Sequence, residues 1–203
     1  VTPRPASWQA SPSGQPARPA VFLDRDGTLI EDIPYLGSVD RLALFPWTID
    51  AVRALNRAGL AVVIVSNQSG IARGFMSEAA VQDIHREITR RLEAGGARVE
   101  AYYYCPHHPE GTVEPYGRRC DCRKPAPGLV DRAASELLLD PARSFVVGDK
   151  WVDVGLARGV GARGILVRTG TGAAEEARSS PGVTADAVVD NLAGAASWIL
   201  QRC

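Results

Sequence analysis

The stretch Val21-Phe22-Leu23-Asp24-Arg25-Asp26-Gly27-Thr28 ends an apolar run in two carboxylates one residue apart, followed by a glycine. Residues two apart on a strand point to the same side. Asp24 and Asp26 are therefore placed to converge on one reacting centre where the strand ends and the chain turns at Gly27. That pairing suits a nucleophile beside a proton donor and acceptor, although a solvated Asp-Gly turn would use the same residues.

A second constellation lies further on. Cys105-x-His107 and Cys120-x-Cys122 supply three thiols and one imidazole, with twelve residues between the halves. Soft sulfur and nitrogen donors in a set of four fit a closed, tetrahedral structural zinc. A disulfide is the competing use of these thiols, disfavoured in a reducing compartment and by the matching histidine. Arg118, Arg119, Arg123 and Lys124 lie close in sequence, where they would balance three thiolates. Zinc on Cys122 would also make Arg123 and Lys124 leave a rigid point. Cys203 reads as a bystander thiol, His108 as a polar loop residue, and His85 as structural or exposed.

Four stretches in order resemble the motifs of the haloacid dehalogenase superfamily: the octapeptide at Val21, Val62-Val63-Ile64-Val65-Ser66-Asn67-Gln68, Arg123-Lys124-Pro125, and Phe145-Val146-Val147-Gly148-Asp149-Lys150-Trp151-Val152-Asp153. Within it, Cys105-Pro106-His107-His108-Pro109 with Cys120-Asp121-Cys122-Arg123-Lys124-Pro125 and Gly148-Asp149-Lys150 is similar to the D-glycero-D-manno-heptose 1,7-bisphosphate 7-phosphatases. Histidinol-phosphate phosphatases share these motifs but have a shorter zinc loop than His107 to Cys120. The resemblance implies a magnesium-dependent phosphatase that removes the 7-phosphate of a heptose bisphosphate through an aspartyl phosphate, in nucleotide-activated heptose biosynthesis. The alternatives are a histidinol-phosphate or other small phosphosugar phosphatase and, from another class, a catalytically silent zinc-bearing binding module. A phosphomutase would use the same aspartates but would bring a cap.

Phosphate monoester hydrolysis needs accelerations of up to about 10²¹, whereas a general acid or base supplies only about 10² to 10⁴. In-line positioning and charge neutralisation must remove most of the barrier. The resemblance implies that Asp24 attacks phosphorus while Asp26 protonates the leaving oxygen. It implies magnesium on Asp24, Asp149 and the backbone carbonyl of Asp26, with Asp153 behind them. Ser66, with Asn67, Gln68 and Ser69, would hold phosphate oxygens, Lys124 the transferring phosphoryl group, and Arg123 a second anion or sugar oxygens. Asp32, Ile33, Pro34, Tyr35 and Lys150 carry over as substrate contacts.

The elements that must position these residues alternate. Thr48 reads as the cap of a helix carrying Ile49, Val52 and Leu55, stopped by Gly59 before a strand from Leu60 to Val65. Ser77 reads as the cap of a helix with Val81, Ile84, Ile88 and Leu92 on one face, ended by Gly95-Gly96. A third helix begins near Pro127, with Leu129, Ala133 and Leu137 inward, and Asp140-Pro141 ends it. Further strands are expected at Ala101–Tyr104, Ser144–Val147, Gly164–Val167 and Ala187–Val189, with a last helix after Asn191. The fold class is α/β, a Rossmann-like parallel sheet with helices on both faces, a zinc-binding loop and no large cap domain. Ligands then bind beyond the carboxyl ends of the strands, where Asp24, Ser66 and Asp149 fall.

At 203 residues, 1–19 read as a disordered Pro/Ala/Ser-rich tail and 20–203 as one domain. Twenty-three basic and twenty-three acidic side chains cancel, which gives no electrostatic case for nucleic acid or an anionic membrane. No apolar run reaches the roughly 20 residues of a membrane span, and no signal pattern opens the chain. A cytoplasmic monomer acting on a small phosphosugar is expected. Gly159-Val160-Gly161-Ala162-Arg163-Gly164 spells a dinucleotide fingerprint but follows a helix and precedes a strand, the reverse of what that motif needs. Asn67-Gln68-Ser69 spells a glycosylation acceptor without a secretory signal.

Overall fold

The computed structural model describes residues 16–178, 180 and 182–203; most of the expected tail lies outside them. Six strands form one sheet in the order β3-β2-β1-β4-β5-β6. They are β1 Ala20–Leu23, β2 Ala61–Asn67, β3 Ala101–Cys105, β4 Phe145–Gly148, β5 Arg163–Val167 and β6 Ala187–Val189. Every pairing is parallel, so the α/β reading holds. The order reverses at β1, flanked by β2 and β4, and a crevice opens there beyond the strand ends.

Strand parity divides the core into two layers. Val21, Leu23, Val62, Ile64, Phe145 and Val147 face α1 (Thr48–Arg57), α2 (Glu78–Ala94) and α6 (Leu192–Leu200). Phe22, Val63, Val65 and Val146 face α3 (Gly128–Leu137) and α4 (Trp151–Val160). A short helix, α5 (Gly172–Arg178), follows β5 and was not legible in the sequence, because Gly-Ala-Ala-Glu-Glu-Ala-Arg carries no apolar stripe.

Ser77 caps α2 through the Ala80 amide, and Val81, Ile84, Ile88 and Leu92 are all buried. Asn191 caps α6 through Gly194. Thr48 is not a cap: it is the first residue of α1, behind Trp47, and its hydroxyl donates to the Leu29 carbonyl at 2.7 Å. The third helix stops before Asp140-Pro141, at Leu138 in a left-handed conformation with φ 55°, and Asp140 instead caps a 3₁₀ turn over Pro141–Arg143. Of the fingerprint-like glycines, Gly159 lies in the last turn of α4, Gly161 ends that helix and Gly164 lies in β5, so the segment does run from helix to strand.

The central strand is anchored at its start by a buried serine. Ser144 Oγ accepts from the Ala20 amide at 2.9 Å and donates to the Asp140 carbonyl at 2.6 Å. Ser144→Ala would leave a buried amide unpaired, at a cost of about 1–3 kcal/mol. Urea unfolding of this variant is expected to show a lower midpoint with an unchanged slope.

Candidate active site and metal centre

Asp24 lies one residue beyond β1, and its amide still donates to Val147 O at 2.9 Å. It is in step with Phe22, on the face covered by α3 and α4. From the turn before α3, Lys124 Nζ reaches Asp24 Oδ1 at 2.6 Å and the Val65 carbonyl at 2.9 Å. From the first turn of α4, Asp153 Oδ1 lies 2.7 Å from the same ammonium, and Asp153 Oδ2 accepts from the Lys150 amide. Lys124 is 4 % exposed, so this cluster is effectively dry.

Asp149, the first residue after β4, is fully buried. Its Oδ2 accepts from the amide and hydroxyl of Thr171 at 2.8 and 2.9 Å. Its Oδ1 accepts no hydrogen bond, and Lys150 Nζ is 3.8 Å away. Carboxylate oxygens of Asp24, Asp149 and Asp153 lie within 4.8 Å of one another. Two glycines make this packing possible. A Cβ on Gly27 or Gly170 would fall 2.4 Å from Asp149 Oδ2, and both have positive φ.

Electrostatics follow from burial. Desolvation pushes Asp24 up to about 7, against the pull of Lys124 and helped by Asp153, Asp149 and Asp26. Burial also raises Asp149. Burial works against the charge on Lys124, but Asp153 and Asp24 hold it above the usual lysine range. Three clustered carboxylates, two of them paired with one ammonium and the third, Asp149, keeping a buried oxygen without a hydrogen bond, suit a hard, oxygen-loving cation such as magnesium.

Asp26 does not stay in step with Asp24. The strand ends at Leu23, the period of two ends with it, and the Asp26 carboxylate is gripped from beside. Arg25 Nε and Nη2 donate to it at 3.1 and 2.9 Å, and Gln68 Nε2 donates at 2.9 Å. Gln68 also donates to Ser66 Oγ at 3.2 Å. Ser66 is fully buried at the end of β2. The Asn67 side chain clamps the backbone of Lys124, accepting from its amide at 3.0 Å and donating to its carbonyl at 3.2 Å. Asn67 and Gln68 therefore bond protein groups rather than presenting free amides. Ser69, half-buried, accepts from the Arg73 amide through its carbonyl.

Of the loop after β1, Asp32 Oδ2 lies 3.5 Å from Lys150 Nζ, which places both beside Asp149. Ile33 packs against the core, Pro34 is exposed, and Tyr35, at φ 49°, packs on Phe75 with ring centres 4.5 Å apart. His85 is buried against Tyr102, 4.4 Å between ring centres. Burial, followed by the nearby Arg25 charge, pushes it down to about 3, which keeps it neutral.

The four sulfur and nitrogen donors converge as expected. Cys122 Sγ lies 3.1 Å from Cys105 Sγ and 3.3 Å from Cys120 Sγ, with His107 Nδ1 3.4 Å from Cys122. Zinc–sulfur bonds of about 2.3 Å set tetrahedral sulfur–sulfur edges of about 3.8 Å, so a bound zinc would spread these thiols by roughly half an ångström. The close contact between Cys105 and Cys122 is the first cause of opposite shifts in the two thiols, holding Cys122 down to about 5 and pushing Cys105 up. A pre-formed thiolate is what a zinc ligand set needs. Arg123 Nη1 lies beside the site on the His107 carbonyl at 3.4 Å. Lys124, expected to help balance the thiolates, is instead committed to Asp24 and Asp153.

Sequence reasoning missed Arg25, 1 % exposed, because an arginine in an acidic turn reads as solvated. It also missed the Thr169-Gly170-Thr171 loop. There Thr169 Oγ1 donates to the Gly27 carbonyl at 2.6 Å, and the only available signal was a Gly/Thr cluster at a strand end.

A parallel sheet presenting paired aspartates, a buried lysine and a further acidic strand end is the arrangement of the haloacid dehalogenase-like hydrolases. A family model described as polynucleotide kinase 3 phosphatase matches residues 20–155, and a HAD-hydrolase-like model matches 121–195. The chain is 42 % identical over 177 residues to D-glycero-beta-D-manno-heptose-1,7-bisphosphate 7-phosphatase of Escherichia coli (strain K12), covering 86 % of this chain and 90 % of that one. It is 44 % identical over 149 residues to the enzyme so named in Rhodopseudomonas palustris, covering 73 % and 83 %. The crystal structure of D,D-heptose 1,7-bisphosphate phosphatase from B. bronchiseptica, complexed with magnesium and phosphate, superposes with a TM-score of 0.80 at 33 % identity, covering 91 % and 99 %. The chain belongs to the D-glycero-β-D-manno-heptose-1,7-bisphosphate 7-phosphatase family.

Cys122→Ser is expected to lose bound zinc, read by metal analysis of the purified protein, and with it most phosphatase activity. A zinc-free variant with normal kinetics would show that the metal does not aim Lys124.

Proposed function

We infer that this chain is a magnesium-dependent phosphatase that releases the 7-phosphate of D-glycero-D-manno-heptose 1,7-bisphosphate, in the supply of nucleotide-activated heptose. The carrying observation is the dry crevice where Asp24, Lys124 and the unpartnered Asp149 Oδ1 meet. The names of the similar enzymes supply the substrate.

Asp24 is the nucleophile: as its oxygen bonds to phosphorus, the bond from phosphorus to the sugar oxygen breaks. Asp26 gives that leaving oxygen a proton and then takes one from the water that cleaves the aspartyl phosphate. Lys124 and the buried Ser66 hydroxyl stabilise the transferring phosphoryl oxygens. Asp24, Asp149 and the Asp26 carbonyl would hold magnesium, which screens the carboxylate from the dianionic phosphate and offsets charge developing in transfer. Asp153 keeps Lys124 charged from behind. Asp32, Tyr35 and Lys150, on the rim, and Arg123, beside the zinc loop, contact the sugar and its second phosphate. Ile33, packed inward, contributes through the shape of that loop.

Residues 20–203 act as one domain, and the chain works as a cytoplasmic monomer. The cytoplasm keeps the three ligand cysteines reduced. Among the described residues no helix is long and apolar enough to cross a membrane. The neutral net charge argues against nucleic acid as substrate.

Phosphate release should be measured from both anomers of the bisphosphate beside histidinol phosphate, hexose bisphosphates and a 3′-phosphorylated oligonucleotide. A preference of at least tenfold in kcat/KM for the β anomer is expected, about 1.4 kcal/mol of transition-state discrimination. Flat activity across the panel would reject the heptose assignment. Asp24→Asn should abolish turnover with the circular dichroism spectrum intact.

Cation binding has a predicted pH dependence. Asp24 and Asp149 are raised in the metal-free protein, so below about pH 7 magnesium must displace a proton. Apparent affinity should fall between pH 8 and pH 6, with proton release seen by calorimetry in buffers of different ionisation enthalpy.

A further inference from the structure

Arg25 stands between the two aspartates, yet all its side-chain hydrogen bonds go one way. Nε and Nη2 form a fork on Asp26, and Nη2 also donates to Gln68 Oε1 at 2.9 Å. Nη1 is buried with no partner. A buried guanidinium with an idle nitrogen is costly. What it does bond is Asp26 and the one other side chain that holds Asp26. Gln68 closes the triangle through Nε2 to Asp26 Oδ2 and ties it to Ser66. Both residues are nearly inaccessible, at 1 % and 4 %, while the Asp26 side chain keeps 19 % of its surface open.

The frame treats the two oxygens of Asp26 differently. Oδ2 accepts from Arg25 Nε and Gln68 Nε2, which fills its two in-plane sites. Oδ1 accepts only from Arg25 Nη2, so one site stays free. We propose that Arg25 and Gln68 are positioning residues that fix Asp26 so that Oδ1 carries the catalytic proton. The proposal rests on Asp26 being the acid in the reading above. In the first step the Oδ1–H bond breaks and its proton moves to the sugar oxygen as the phosphorus–oxygen bond to the sugar breaks. In the second, Oδ1 takes a proton from the attacking water. Arg25, 1 % exposed, acts through Asp26.

The distinguishing measurement is leaving-group dependence. An alkoxide from heptose 1,7-bisphosphate needs the proton, whereas the phenolate of p-nitrophenyl phosphate departs without it. First-turnover rates should be compared on both compounds for Gln68→Met, which removes the donor at similar volume, and Arg25→Lys, which keeps charge but cannot fork. The loss on the bisphosphate is expected to exceed the loss on p-nitrophenyl phosphate by at least about tenfold, within the range of general acid catalysis, with KM for the sugar little changed. Equal losses on the two substrates would make the frame merely structural and overturn the proposal, as would a wild-type ratio in Arg25→Lys. If Arg25→Lys does not fold, Gln68→Met decides alone. Asp26→Asn in the same assay separates the two failures. If it shows no leaving-group dependence, the acid assignment falls and this proposal with it; if it shows the dependence and the frame variants do not, only the frame is wrong.

Discussion

The buried ammonium of Lys124 is the constraint on which the site depends. A lysine taken out of water is tolerable only with partners of opposite charge and good geometry, and here Asp24, Asp153 and the Val65 carbonyl surround it. These three come from the ends of β1 and β2 and the start of α4. One side chain therefore fixes how far the strand ends and the helices approach one another. In the proposed reaction the same ammonium would meet the transferring phosphoryl group as a fixed, buried charge, the condition under which such charges act most strongly on a transition state.

Such a charge must be delivered with accuracy, and its backbone is held twice. On one side the Asn67 amide brackets the Lys124 peptide groups. On the other, Cys122 lies two residues upstream in the Cys/His cluster. Asn67 is paired in register with Cys105, a member of that cluster, and the Gln68 amide donates to the Cys105 carbonyl at 2.8 Å. The Cys/His cluster and the end of β2 that carries Ser66 and Asn67 are thus parts of one corner of the structure.

Charge is divided by face. Asp24, Lys124 and Asp153 meet on the α3/α4 face, while Arg25, Gln68 and Asp26 form their own group, with His85 of α2 nearby. Consecutive residues at the end of β1 feed the two sets. The carboxylates of Asp24 and Asp26 thereby have different partners, Lys124 for one and Arg25 with Gln68 for the other, although only one residue separates them. Asp149 completes the crevice from β4, where Gly27 and Gly170 let two backbone turns close on it.

The sequence by itself determined the parallel α/β architecture, the crevice position of Asp24, Ser66 and Asp149, and the Cys105, His107, Cys120, Cys122 set. These follow from apolar runs, helix periodicity and ligand spacing, which are local or involve distinctive residue types. Only the tertiary structure decided that Asp26 turns to Arg25 and Gln68, since period-two reasoning stops where the strand stops. It alone showed that Asn67 and Gln68 spend their amides on the protein, and that Thr171 supports Asp149 from a loop without a pattern. Lys124 makes the point most clearly: its sequence neighbours suggested a share in balancing the thiolates beside its role on phosphate, but its four-carbon stem reaches carboxylates a hundred residues before it and twenty-nine after it. Long side chains choose partners in space, and spacing along the chain does not encode that choice.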